Sequence, residues 1–499
     1  MKQLFFSLIL ILFTSNASWA GEIIVQPGQS IHEALRQARE WRRTSDPRCQ
    51  GGITISLQPG RYSMQEPLFL RPEDSGTEAS PLIIQGHEGT ILCGDPMQQH
   101  TQLWPETGME RMLDFDTQTR TITIPTPPEA VLGQITQGLE MVVHQRWAMA
   151  ILRVAEFRVR GQQTVVSFKE PESRLEFEHP WPQPVINGER GSSSFLLRTT
   201  EQRDGIEQLM VIDGASHVRI QGLTFENTCW NRPLHRGHVT LQGGFPLIDA
   251  YKLAVPGLPW DKDLENQAWT ERPVSAVTVR HASSIHISNC AFRHLGATAV
   301  DFESIRQGSL SGCTFEHIGG TAIMAGSFAE SPLEVHRPYT DLAALCDELT
   351  ISGNIIHSAT TEDWGAVGIG VGYARNCTIK TNIIEHVNYS GICIGWGWTA
   401  HDTGMDNNRI ERNKIYRYAC QLYDAGGIYT LSYQTNSSIR DNDISQPYPA
   451  PYATNHRGFC IYLDARTDGF TIENNYTEGR LIRRNEIGDN HPGPNLLFR

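Results

Sequence analysis

The phrase Ile351-Ser-Gly-Asn354-Ile returns as Ile379-Lys-Thr-Asn382-Ile, Ile410-Glu-Arg-Asn413-Lys, Ile439-Arg-Asp-Asn442-Asp and Ile472-Glu-Asn-Asn475-Tyr. Its asparagines are 28, 31, 29 and 33 residues apart, the period of a solenoid, in which each repeat is one turn that cannot bury its apolar face alone. A second beat follows, a run of small residues ending in a branched apolar one: Ala-Thr-Ala-Val300, Gly-Thr-Ala-Ile323, Ala-Val-Gly-Ile369, Gly-Ile-Cys-Ile394, Ala-Gly-Gly-Ile428 and Gly-Phe-Cys-Ile461. Short segments rich in Ile and Val and punctuated by Gly, Asn and Asp read as strands, whereas helical repeats need longer runs with a helical period. The repeat therefore predicts an all-β chain coiled as a right-handed parallel β-helix. Asparagine at one phase of every turn is read as structural, since stacked amides bond to one another and to turn backbone.

Working outward, the 499 residues carry a formal charge of −13. That balance disfavours nucleic acid or an anionic membrane as partner, because both call for clustered Lys and Arg. At the N-terminus, Met1-Lys2, the apolar run Leu4 to Phe13 and Ser18-Trp19-Ala20 follow the basic, apolar, small-x-small order of a secretory signal. The expected mature chain starts at Gly21 and is secreted, to a periplasm or outside the cell. Cys290 and Cys313 stand at the anchor position of successive turns, and Cys393 and Cys460 lie beside the second beat. Without a Cys-x-x-Cys pair or a His/Cys cluster, the cysteines read as small core residues, and neither metal nor cofactor is expected. A disulfide involving Cys49, Cys93 or Cys346 stays open.

Residues 21–100 read as an N-terminal cap and the first turns. Ser30-Ile-His-Glu33 is a capping box, and Ala34, Leu35 and Ala38 form the buried stripe of a helix that would close the open end of the solenoid. Over 101–205 the repeat disappears into a β-rich insertion, with strands at Thr121 to Ile124, Met141 to His144, Ala150 to Val159 and Thr164 to Phe168. The repeat fills 206–499. Its long connections, about Pro233 to Pro273 with Trp260 and Trp269, Ser327 to Asp347, and Gln446 to Gly458, are of a length that is usually functional.

Alternation along a strand puts Tyr462 and Asp464 outward if Ile461 and Leu463 face in. One turn earlier Asp424 precedes Ala-Gly-Gly-Ile428. Two outward aspartates on adjacent turns, one strand spacing of about 5 Å apart plus a lateral offset, suit glycosidic cleavage, which needs an acid for the leaving oxygen and a carboxylate to attack the sugar carbon or activate water. Trp396, Trp398, Tyr429 and Tyr462 read as a platform of exposed rings for stacking on sugars, the tryptophans freed by flanking glycines. Asp363 is placed to orient a hydroxyl, and Asp301 and Glu303 are weaker candidates of the same kind.

The run Trp364-Gly-Ala-Val-Gly-Ile-Gly-Val-Gly-Tyr373, with Asn388-Tyr-Ser-Gly391, Gly395-Trp-Gly-Trp398, Gly222-Leu-Thr-Phe-Glu-Asn227 and Pro72-Glu-Asp-Ser-Gly76, resembles glycoside hydrolase family 141 across most of the chain. The resemblance implies a pectin-lyase-like solenoid enzyme acting on plant-type polysaccharides or oligosaccharides, with α-L-fucosidase and endo-xylanase among the family's activities. The family's two catalytic aspartates match Asp424, in Asp-x-Gly-Gly-Ile-Tyr, and Asp464, in Ile-Tyr-Leu-Asp. The sequence departs from the family in Ala465, where a glutamate commonly follows the second aspartate, and in an insertion that reads as shorter than usual. Two rivals remain at this level: a polysaccharide lyase using His456, Arg457 or Arg466, and a non-catalytic carbohydrate-binding or adhesive solenoid that keeps the tryptophans without needing both aspartates.

Overall fold

The computed structural model of the chain describes residues 21–145, 147–178, 193–248, 270–330, 333–334, 341–400, 402–448, 459–478, 482–485 and 487–498. The expected leader, Trp260, Trp269, His456 and Arg457 lie outside the described residues.

The anchor asparagines form a ladder. The side-chain Nδ2 of Asn354, Asn382, Asn413 and Asn442 donates to the Oδ1 of the next asparagine at 2.9, 2.9, 3.0 and 2.9 Å, and Asn475 continues to Asn495 at 2.9 Å. Each Oδ1 also accepts the main-chain N–H of the asparagine one coil back, and each Nδ2 reaches an isoleucine or leucine carbonyl of the preceding coil. The residue before each anchor is left-handed, with φ of 65° at Gly353, 54° at Thr381, 55° at Arg412, 57° at Asp441 and 57° at Asn474. That conformation is costly for a residue with a Cβ, and the amide bonds around it hold the corner in place. Cys313 and Cys290 occupy the same corner one and two coils earlier, with Cys313 N donating to Asn354 Oδ1 and Cys290 N to Cys313 Sγ. All ten cysteines are unpaired.

Three parallel sheets of thirteen, ten and eleven strands run the length of the coil, each pairing strands from successive turns in chain order apart from one short side strand. Inward side chains therefore stack on their own kind. Val300, Ile323 and Ile369 pair in line on the ten-stranded sheet and continue to Ile392, Ile428 and Ile461. The second beat thus falls on Ile392; Ile394, two residues on and facing the same way, pairs with Val371 and Thr430. Phe225, Phe292 and Phe315 stack with centroids 5.0 and 4.8 Å apart and planes 6° from parallel. Such contacts add about 0.5–1.5 kcal/mol per pair beyond area burial.

Helix Ile31–Arg43 caps the end, with Ser30 accepting from Glu33 N at its start and Ile31, Ala34, Leu35, Ala38 and Trp41 buried. The β-rich insertion is a nine-stranded sheet of antiparallel pairs that gathers strands from His100–Trp104 to Ser194–Thr200 and adds His238–Val239 from a solenoid loop. It leaves the coil uninterrupted: Leu82–Gly86 pairs directly with Ser216–Gln221. Its apolar face shares one cluster with the outward residues Met324, Tyr429 and Tyr462 of the ten-stranded sheet and with Tyr373 and Trp396, just beyond its strands Ile369–Val371 and Ile392–Ile394. That outer face is covered by protein. The sequence pattern shows which residues point away from the solenoid core but cannot show this second layer.

Candidate active site

Strands Gly426–Thr430 and Phe459–Leu463 are neighbours in the ten-stranded sheet, with Ile428 opposite Ile461 and Tyr429 opposite Tyr462. Ile428, Ile461 and Leu463 enter the solenoid core, and the alternation sends Tyr429 and Tyr462 outward into the second layer. There the two rings meet edge to face, 5.1 Å between centroids.

Their hydroxyls cross to the two aspartates. Asp424 precedes its strand in a left-handed turn with φ 65°, and Asp464 follows its strand, its N–H donating to Thr430 O at 3.1 Å. The Tyr462 hydroxyl donates to Asp424 Oδ1 at 3.2 Å, and the Tyr429 hydroxyl donates to Asp464 Oδ2. Asn485 Nδ2 donates to the other oxygen of Asp464 at 2.7 Å. Burial pushes the Asp464 carboxyl above its ordinary range; the donors Tyr429 and Asn485 pull it down, and the charge of Asp424 adds to the rise. The two carboxyls are electrostatically joined, and both remain half-buried.

Gln242 ties this arrangement together. Its Nε2 donates to the hydroxyls of Tyr389 at 2.9 Å and Tyr429 at 3.0 Å, and Tyr389 in turn donates to the main-chain oxygen of Asp424 at 3.2 Å. His144 of the insertion meets Gln421 O at 2.7 Å, on the turn that leads into Asp424. Sequence reasoning passed over Gln242, Asn485 and His144. Gln242 lies in Leu-Gln-Gly-Gly-Phe245, and this small-residue run inside a long connection is the one signal that marked it.

The lateral offset between the aspartates comes from their places on neighbouring strands: Asp424 precedes Gly426–Thr430 and Asp464 follows Phe459–Leu463, with Tyr429 and Tyr462 paired between them. Several expectations are corrected by the geometry. The aromatic platform is interior: Trp396 and Trp398 are each 4 % exposed and Tyr429 and Tyr462 each 2 %. Trp396 packs on Phe245, Phe328 and Trp398. The flanking glycines serve that packing. Gly395 and Gly397 have φ of 98° and 95°, and a Cβ on them would overlap Leu431 O and the Tyr373 hydroxyl, so they fold the tryptophans inward. Asp363 is buried away from the pair, its Oδ2 3.0 Å from His238 Nε2 and its Oδ1 accepting from Gly365 N. Asp301 is held by Arg272 through two bonds of 2.6 Å, and is the partner of a buried guanidinium rather than a group free to hold a hydroxyl. Among the described residues, one group suited to a metal ion, His357, Glu385 and His386, brings ligand atoms within 4.8 Å of one another. It sits on the eleven-stranded sheet, not at the aspartates.

A family profile for the GH141 insertion domain matches residues 99–204, and one for a right-handed β-helix region matches residues 342–491. A solved structure described as a glycoside hydrolase is 32% identical over 96% of both chains, with a TM-score of 0.85. Fainter likenesses include a complex of XylC with xylose, 11% identical over 93% of this chain and 70% of that one at a TM-score of 0.43. Another is PfbA, a surface adhesin of Streptococcus pneumoniae, 10% identical over 94% and 86% at 0.42. No curated protein sequence matches the chain. With its insertion, its coil and a full-length relative in agreement, the chain is a glycoside hydrolase of the family 141 type, built on a right-handed parallel β-helix.

Proposed function

We propose that Asp424 and Asp464 are the carboxylate pair that cleaves the glycosidic bond, and that the substrate is a plant-type polysaccharide or oligosaccharide attacked in the manner of an α-L-fucosidase or a xylanase. The observation that carries this reading is the crossed pair of hydrogen bonds, Tyr462 to Asp424 and Tyr429 to Asp464, which ties two half-buried carboxyls to one pair of touching tyrosine rings. Unlike environments on two carboxyls divide the labour of acid and base. Asp464, whose carboxyl is raised by burial, protonates the departing glycosidic oxygen. Asp424 attacks the anomeric carbon or takes the proton of the attacking water, and one molecule of water is consumed per bond broken. The resemblance of the N-terminal segment to a secretory signal supports a secreted enzyme meeting its polymer outside the cytoplasm.

The test is mass spectrometry of products from xylan, pectins and fucosylated plant polysaccharides, alongside Asp424→Asn and Asp464→Asn. Products carrying one added water per cut, reduced roughly 10²–10⁴-fold in each variant, are the expected result. Unsaturated products would assign an elimination instead, and full activity in either variant would remove that residue from the chemistry.

A further inference from the structure

A cavity of about 270 Å³ opens at the edge of the ten-stranded sheet, lined by Glu207, Trp230, Arg232, Glu271, Thr321 and Asp363 among others. Asp363 comes just before the strand Ile369–Val371, as Asp424 does before Gly426–Thr430, and the sheet order runs Ile369–Val371, Ile392–Ile394, Gly426–Thr430. The cavity and Asp424 therefore share one edge of the solenoid: along its axis the near wall at Asp363 is two strand spacings from Asp424, about 10 Å, and the far wall at Glu207, before strand Met210–Asp213, is six, about 29 Å. That is the reach of a short oligosaccharide.

The lining is fixed in place by its own bonds. Glu207 accepts from Asn231 N at 2.8 Å. Arg232 donates to Glu271 at 2.6 Å and to Leu247 O at 2.9 Å. His238 holds Asp363 and packs edge to face against Trp230 at 4.6 Å. Each carboxyl still has acceptor capacity to spare, the half-buried Trp230 supplies an apolar wall, and the Thr321 hydroxyl adds a polar group that both gives and takes hydrogen bonds. The lining carries three carboxyls, Glu207, Glu271 and Asp363, and three guanidiniums, Arg232, Arg236 and Arg272, so a phosphate, a sulfate or a bare cation would meet like charge as well as opposite charge, and an apolar ligand would leave all of them unpaired. A neutral polyhydroxylated ring satisfies both kinds of group. Burial pushes the Glu207 carboxyl upward, which suits a group that exchanges hydrogen bonds with hydroxyls instead of neutralising a charge.

We propose that this cavity is a sugar-binding subsite that holds an uncut neutral sugar of the same chain whose bond is broken at Asp424 and Asp464. The inference rests on the proposed catalytic pair for its distance from the cut, while its sugar binding stands independently of that assignment. The test is isothermal titration of the full protein with xylohexaose and with a fucosylated xyloglucan oligosaccharide, for the native chain, Glu207→Gln, Trp230→Ala and Asp424→Asn. A crystal of Asp424→Asn soaked in whichever probe binds accompanies it. Binding of at least one probe, weakened about tenfold or more by Glu207→Gln and Trp230→Ala, with a sugar ring in the cavity, is the expected result. Binding of neither probe, native affinity in Glu207→Gln with its melting temperature unchanged, or a soaked crystal whose cavity is empty would overturn the subsite. Cleavage by Asp424→Asn would instead refute the catalytic pair and leave the titration to decide the subsite.

Discussion

Truncating Asn413 to alanine tests whether the amide ladder is what holds the coil. Asn413 is 1 % exposed and its side chain makes four hydrogen bonds: it donates to Ile379 O and Asn442 Oδ1, and accepts from the main-chain N–H and the Nδ2 of Asn382. Alanine strands the Asn382 N–H and one amide hydrogen of Asn382, whose Nδ2 keeps Ile351 O, while the Ile379 carbonyl loses one partner but stays in the strand pairing of Ile379 with Ile410. The Oδ1 of Asn442 keeps the main-chain N–H of residue 413. Each stranded buried group costs about 1–3 kcal/mol. A water admitted to the space left behind recovers part of that, so a net loss of about 3 kcal/mol is expected. Urea unfolding followed by circular dichroism reads it, with Arg412→Ala, on the exposed neighbouring position, as a control expected within ±0.5 kcal/mol. Because each coil touches only its neighbours, hydrogen exchange should also quicken first on the coils around Asn382 and Asn442. A stability within about 0.5 kcal/mol of the native chain would show that the ladder is a by-product of the corner and not its fastener.

Tyr429→Phe removes a donor that lowers the Asp464 carboxyl, so that carboxyl moves further up. With Asp464 as the acid, the alkaline limb of the kcat/KM profile should shift to higher pH, and an unmoved or downward limb would refute the assignment. His144 is buried and its pKa is pushed down from 6.5 to about 4 by loss of solvent. The unfolded chain thus takes the proton first: stability is complete above pH ~6.5 and is lost as pH falls towards 4. The difference of about 2.5 units corresponds to ~3 kcal/mol. Melting temperatures from pH 7 to 4.5 should fall more steeply for the native chain than for His144→Gln, and parallel curves would refute this.

Periodicity made the coil legible because the ladder demands the same residue at the same corner in every turn, and the inward isoleucines follow from the pairing register. The capping helix was legible for a local reason: Ser30 and Glu33 sit three apart and bond as that spacing requires. In the insertion, the long strands Leu139–His144 and Met149–Arg160 showed through their β-branched runs, while the helix Glu172–Glu178, short and weakly periodic, did not. At the candidate site, alternation along Phe459–Leu463 gave the outward turn of Tyr462, and Tyr429 is its partner in the neighbouring strand. Their surroundings could not be read in this way. Gln242 and His144 reach the site from 182 and 280 positions upstream of Asp424 in the sequence, through contacts made only after a solenoid loop and the insertion, respectively, fold onto the sheet. The same layer turned a supposed surface of tryptophans into a core.

The ladder and the site are one problem of register. Strand pairing has a side-chain period of two, so a slip of one residue between Gly426–Thr430 and Phe459–Leu463 would turn Tyr462 into the solenoid and Ile461 out against the insertion. The hydroxyl that bonds Asp424 would then be on the wrong side of the sheet. Those strands are short and their glycine-rich neighbours pin register weakly. The corner at Asn442 and Asn475 lies between one strand of this sheet and the next, and each asparagine there can meet its partner's Oδ1 only in one alignment. The residues that repeat most faithfully therefore lie apart from the proposed carboxylate pair, yet they set which face is occupied by the two tyrosines that bond Asp424 and Asp464.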